Sequence, residues 1–155
     1  MENPVVIIHT DASTKNGFSV SCSKIVGDSK CRVRIVKTSN SAGMELQAII
    51  SILEHPPIFW ARDNTKVKII TDSLSAVKII KNMGYYRDEI PKQFKNFPTT
   101  KEYSEYKHKF VSIIRMYRYI TAQWVCSDNP DTHHQEVDQT AKSVLHEYLK
   151  MRGKA

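Results

Sequence analysis

Two short apolar runs constrain this chain more than any other feature. Residues 4–10 read PVVIIHT and residues 67–71 read VKIIT. Both are brief and rich in β-branched side chains, so they read as buried strands rather than helices. The first is apolar on both faces, which places it at the centre of a sheet covered on both sides. Each run stops on a carboxylate: Asp11 follows the first and Asp72 the second. An aspartate after a strand is an ordinary turn residue and an ordinary helix cap. Two of them, ending neighbouring buried strands, also fit a shared site.

The other periodicities fill in the sheet. Residues 18–26 (FSVSCSKIV) and 31–37 (CRVRIVK) alternate apolar and polar, and Gly27-Asp28-Ser29-Lys30 between them is a hairpin signal. Three strands therefore come first, as an antiparallel meander. Ser41 to Glu54 switches to helical spacing through Ala48, Ile49, Ile52 and Leu53, and Pro56-Pro57 ends that helix. The fourth strand is 66–71. A helix over 73–82, carrying Leu74, Val77 and Ile80, stops at Gly84. Residues 85–98 form a basic, aromatic, proline-punctuated connector. A helix over 100–117, a fifth strand over 120–126, a loop over 127–132 and a last helix over 133–151 complete the chain. The order β-β-β-α-β-α-α-β-α predicts an α/β fold: a mixed five-stranded sheet, three antiparallel strands then parallel strands, flanked by helices. No repeat, low-complexity tract or linker interrupts residues 1–155, which are expected to form one domain.

Composition narrows the function classes. No stretch approaches the roughly 18 apolar residues of a membrane span, and MENPVV lacks the basic and apolar regions of a signal peptide. Cys22, Cys31 and Cys126 are odd in number and lack metal-type spacing. Structural thiols in a reducing, cytoplasmic compartment are the expectation. The net charge of +7 and pI of about 9.3 favour an anionic partner, nucleic acid being the commonest. The excess is concentrated: Gly84 to Arg118 holds eight Lys/Arg against four Asp/Glu. A solvated, lysine-rich surface is the plain alternative.

Two more acids join Asp11 and Asp72. Glu45, in AGMELQAIISIL, has helical spacing with Ala48, Ile49 and Ile52, which sets it on or beside the sheet-facing stripe. Buried carboxylates are rare unless paired or metal-bound, although a first-turn glutamate also gains from the helix dipole. Asp138, in HHQEVDQTAK, lies beside the Val137–Ala141–Leu145 stripe and has the same ordinary reading as an early-turn acid. Singly, each acid is unremarkable. Together they converge, two from strand ends and two from the early turns of helices packed on that sheet. Clustered carboxylates repel and raise one another's pKa, and a hard divalent cation with oxygen ligands offsets this. The expected chemistry is Mg²⁺ held by carboxylates, water and phosphate, with two ions about 4 Å apart acting on a phosphodiester. The basic segment would hold the polyanion.

These pieces resemble the type 1 ribonuclease H family, in order and along essentially the whole chain. IIHTDAS resembles its first strand with the aspartate, and TSNSAGMELQAI its Thr-Ser/Thr-Asn segment leading to a helical glutamate. VKIITDSLSAV resembles its strand ending in Asp-Ser. WVCSDNPDTHHQEVDQTA resembles its Trp-Val stretch that closes on an aspartate, and Trp124 to Asp138 keeps the spacing without a gap. The resemblance implies that Asp11, Glu45, Asp72 and Asp138 are catalytic, metal-binding carboxylates for two Mg²⁺ or Mn²⁺ ions. It implies an endonuclease that cuts the RNA strand of RNA–DNA hybrids, leaving 3′-hydroxyl and 5′-phosphate ends. Ser39 and Asn40 fall near contacts to the hybrid backbone, and Glu136 in the acidic position before the last aspartate. The basic segment, with Lys92 and Lys95, resembles the protrusion that some members use to grip the hybrid.

The chain departs from the family pattern at two loops. The usual Gly-His of the flexible loop reads Ser127-Asp128. Asp128, or His133 and His134 shortly after it, are then the candidates for proton transfer or product release. His134 stands at the family's Asn position, and both histidines also read simply as polar residues opening a helix. The glycine-rich turn after the first aspartate reads Ala12-Ser13-Thr14-Lys15-Asn16-Gly17, where Lys15 and Asn16 are candidates for phosphate contact. The expected protein is a monomer with no membrane association and no obligate protein partner. The alternatives are a weak or inactive hybrid-binding module, an exonuclease or resolvase of the same sheet, and a domain detached from a reverse transcriptase. Retention of four acids weighs against the first. Ser13, where an Asp-x-Glu motif needs glutamate, weighs against the exonuclease, and the initial Met and basic tail against the last.

Overall fold

The computed structural model describes residues 5–55, 65–85, 101–117, 119–125 and 132–153. In these residues the elements run β1 (Val5–Lys15), β2 (Phe18–Ile25), β3 (Arg32–Val36), α1 (Ser41–Glu54), β4 (Lys66–Thr71), α2 (Leu74–Tyr85), α3 (Lys101–Ile114), β5 (Tyr119–Trp124) and α4 (Thr132–Met151). The sheet order is β3-β2-β1-β4-β5. The β1–β2 and β2–β3 pairs are antiparallel; β1–β4 and β4–β5 are parallel. The expected mixed five-stranded sheet is present, with the first apolar run at its centre.

Strand alternation divides the core in two. Val6 and Ile8 of β1 stand opposite Val67 and Ile69 of β4, and with Ile25 and Ala122 they face the α1, α2 and α3 layer. Leu46, Ile49, Ile50 and Leu53 of α1, Val77 and Ile80 of α2, and Phe110 and Ile114 of α3 close that side. On the other face, Phe18, Val20 and Cys22 of β2 meet Val137, Ala141, Leu145 and Leu149 of α4. Those four helical residues recur every fourth position, which aligns them as one stripe.

β1 does not stop before Asp11. It runs on to Lys15 because β2 pairs with it as far as Lys15↔Phe18. Asn16 and Gly17 alone join the two strands, at φ 52° and 81°. A two-residue hairpin turn of the primed type needs positive φ at both positions, and Asn-Gly is its strongest short signal. The segment read as a turn after the first aspartate is therefore mostly strand. The parallel ladder between β1 and β4 ends at Thr10↔Thr71. Asp11 and Asp72 are each the first residue beyond it, where β4 leaves the sheet.

α2 continues one residue past Gly84 instead of stopping there. A helical glycine costs about 1 kcal/mol relative to alanine, a penalty without the power to end a helix by itself. The segment carrying Lys92 and Lys95 and the loop carrying Asp128 lie outside the described residues. No helix among the described residues is long and apolar enough to cross a membrane.

Candidate metal centre

Asp11 is the hub of the site. Its side chain is on the α4 face of the sheet, opposite Cys22 in the β1–β2 ladder, and only 3% of the residue is exposed. Its Oδ1 accepts the Ala12 N–H at 2.8 Å. Three further acids act on it from three other elements. Asp72 arrives from the end of β4, Glu45 from the second turn of α1, and Asp138 from the second turn of α4. The four carboxylates expected from sequence are thus brought together.

Their crowding perturbs them all. The Asp11 carboxyl is pushed up to about 8, first by burial, then by the charge of Asp72 and a hydrogen bond to Asp138. Burial, followed by the charges of Asp11 and Asp72, holds Glu45 well above the ordinary carboxylate range. Burial raises Asp72 too, opposed by the nearby His134. Asp138 moves the other way: burial is outweighed by hydrogen bonds from Asp11 and from Lys142, the latter at 3.1 Å. Glu45 Oε2 is buried without a hydrogen-bond partner among the described residues. An unmet buried acceptor costs roughly 1–3 kcal/mol. Crowded carboxylate oxygens with an orphan acceptor are the donor set that a hard divalent cation satisfies.

His134 belongs to the same cluster. It is 2% exposed, and one ligand atom from each of Asp11, Asp72 and His134 lies within 4.8 Å of the others. The plain reading as a polar residue opening a helix does not account for its burial. The signal for burial was in the spacing: extending the Val137–Ala141–Leu145–Leu149 stripe back by three residues lands on His134. His133 is exposed beside it. Glu136 forms an ion pair with the buried Lys24 of β2 at 2.5 Å.

Asp72 does not cap α2. Ser73 does, its Oγ accepting the Ala76 N–H at 3.3 Å. Thr71 Oγ1 accepts the Ser73 N–H at 3.1 Å, and Trp124 Nε1 donates to the Asp72 carbonyl at 3.1 Å. Neighbours hold the backbone, which leaves the Asp72 carboxylate to the acid cluster. Ser73→Ala is expected to cost about 1 kcal/mol. That is a fall of roughly 2–4 °C in thermal midpoint for a chain of this size, measurable by circular dichroism. A midpoint equal to that of the wild type would assign the cap elsewhere.

The residues expected near a nucleic-acid backbone divide. Asn40 is buried and caps α1, its Oδ1 accepting the Gly43 N–H at 2.8 Å. Ser39, just before it, is exposed, as are Lys15 and Asn16 at the β1–β2 turn.

Comparison with known proteins bears on the family and the fold. The model of the family described as RNase H matches residues 3–146. Among solved structures, the crystal structure of RNase H1 from the halophilic archaeon Halobacterium salinarum NRC-1 superposes with a TM-score of 0.65. The match covers 92% of this chain and 98% of that one at 15% sequence identity, a likeness of fold. No curated protein matches the chain.

Proposed function

The chain belongs to the type 1 ribonuclease H family, and on that premise we propose that it hydrolyses the RNA strand of RNA–DNA hybrids. The observation that carries this reading is the placement of Asp11: buried on the central strand, with Glu45, Asp72 and Asp138 facing it from three other elements. These four carboxylates would hold two divalent cations, Mg²⁺ or Mn²⁺. When bound, such ions supply Lewis-acid stabilisation of the phosphodiester and an acidified water, leaving 3′-hydroxyl and 5′-phosphate ends.

The chain's own residues do the positioning. Asp11 is held on a strand of the scaffold, paired with Cys22 of β2 and one residue past the end of the β1–β4 ladder, a more rigid place than a loop. Asp138 keeps 38% of its side chain exposed, pairs with Lys142 and would face an incoming polyanion. Lys15 and Asn16 stand exposed at the hairpin tip and Ser39 at the head of α1, suited to contacts with a sugar-phosphate backbone. The net charge of +7 favours the same partner.

The test is a panel of labelled substrates: RNA–DNA hybrid, duplex DNA, double-stranded RNA and single strands, each in Mg²⁺ and in Mn²⁺. Cleavage confined to the RNA of the hybrid is expected, and Asp72→Asn should abolish it. Hybrid binding without hydrolysis in either metal would make the chain a binding module. Cleavage of duplex DNA would make it a nuclease of another kind on the same sheet.

A further inference from the structure

Beside the four acids stands a nitrogen donor. Ligand atoms of Asp11, Asp72 and His134 lie within 4.8 Å of one another. Ligands on opposite sides of one cation, at about 2.1–2.4 Å each, stand roughly 4–5 Å apart, so the three are spaced for a shared ion. His134 reaches the two aspartates because it sits one turn before Asp138 on the sheet-facing side of α4. His9 of β1 packs against it, with ring centroids 5.8 Å apart and planes inclined by 50°. His133 meets the same His9 ring at 5.6 Å. Buried and flanked in this way, the His134 imidazole has little freedom to turn away.

We propose that His134 is a nitrogen ligand of a cation held with Asp11 and Asp72, and that this ligand makes the centre take Mn²⁺ in preference to Mg²⁺. The inference rests on the reading that the two aspartates bind metal. Mg²⁺ favours an all-oxygen octahedron and gives up water reluctantly. Imidazole is a better ligand for first-row transition ions than for Mg²⁺, and although Mn²⁺ gains least among them, a nitrogen ligand shifts the balance of the site from Mg²⁺ toward Mn²⁺.

The test uses the whole protein with Mn²⁺ alone or Mg²⁺ alone. Pulsed electron paramagnetic resonance of bound Mn²⁺ is expected to show coupling to an imidazole nitrogen, retained in His133→Asn and lost in His134→Asn. Calorimetric titration is expected to give at least about a tenfold preference for Mn²⁺, which His134→Asn removes by weakening Mn²⁺ far more than Mg²⁺. Bound Mn²⁺ without nitrogen coupling overturns the inference, as does equal loss of both metals in a folded His134→Asn. The wild-type spectrum needs no variant, so a His134→Asn that fails to fold leaves that test in force. Hybrid cleavage without nitrogen coupling sinks this inference and spares the ribonuclease reading. Nitrogen coupling without cleavage of any substrate does the reverse.

Discussion

Asp11→Asn is expected to lower hybrid cleavage by at least about a thousandfold, the loss that follows from removing several kcal/mol of metal-borne charge stabilisation. The same change should stabilise the metal-free protein at alkaline pH. In the fold the Asp11 carboxyl is pushed from its ordinary 3.8 up to about 8 by burial, by Asp72 and by the hydrogen bond to Asp138. Between those values the folded state keeps a proton that the unfolded chain has released. Stability therefore falls as pH rises from about 4 to about 8 and levels off above that. Asparagine carries no such proton, and its amide can donate toward Asp138 as the protonated acid does. At pH 8 the variant should gain on the order of 1–3 kcal/mol, the scale of an unmet buried polar group; near pH 4 the two proteins should differ little. Asp138, held below its ordinary value, contributes only on the acid side, where its stabilisation is lost as pH falls through its folded pKa. A divalent cation binds the folded, deprotonated site and should restore the wild type more than the variant. Urea melts from pH 4 to 9, with chelator and with Mn²⁺, check this. A wild-type profile flat across the window, or a variant less stable at pH 8, would overturn the assignment of Asp11 as the buried hub.

The legible part of this molecule follows from periodicity. PVVIIHT, apolar on both faces, marks the central strand because only a doubly covered strand can bury such a run. The α4 stripe at 137, 141 and 145 marks the helix that covers one face of the sheet. What periodicity does not carry is register. Nothing local in either strand says that the β1–β4 ladder ends at Thr10↔Thr71, yet that coincidence sets Asp11 beside Asp72. The choice of cap is similarly non-local. Asp72 and Ser73 are both good caps by type, and only the folded strand end hands the duty to Ser73. His134 shows a different limit. A polar type argued for solvent while its position on the stripe argued for burial, and position won because the neighbouring carboxylates give the imidazole a polar environment. Asn40 shows a related limit: its place in the Thr-Ser-Asn segment does not say that its Oδ1 also caps α1 at Gly43.

Gly43→Ala is expected to destabilise the fold although alanine is the better helix former by about 1 kcal/mol. A Cβ at position 43 would stand 2.5 Å from Tyr106 Cδ2 and 2.7 Å from Cε2, and nearer still to Asn40 Nδ2. The methyl group must both push the Tyr106 ring of α3 outward and displace the Asn40 amide that makes the cap. Overpacking costs roughly 1–3 kcal/mol and loss of the cap about 1 kcal/mol more. The propensity gain leaves a net loss of roughly 1–3 kcal/mol. The consequence reaches the acids, since Glu45 lies two residues further along the same helix. A misplacement of about 1 Å can cost a hundredfold in rate, so activity per folded molecule should fall about tenfold to a hundredfold while the fold persists. Tyr106→Ala alone should also destabilise, through lost packing. Combined with Gly43→Ala it should cost less than the sum of the two, because the space the methyl needs has been opened. Urea melts of the two single variants and the double variant measure that coupling, and hybrid cleavage by folded protein measures the reach to Glu45. A Gly43→Ala protein that melts at or above the wild type would mean that the α1–α3 contact yields without strain. Glycine at 43 would then have no part in positioning Glu45.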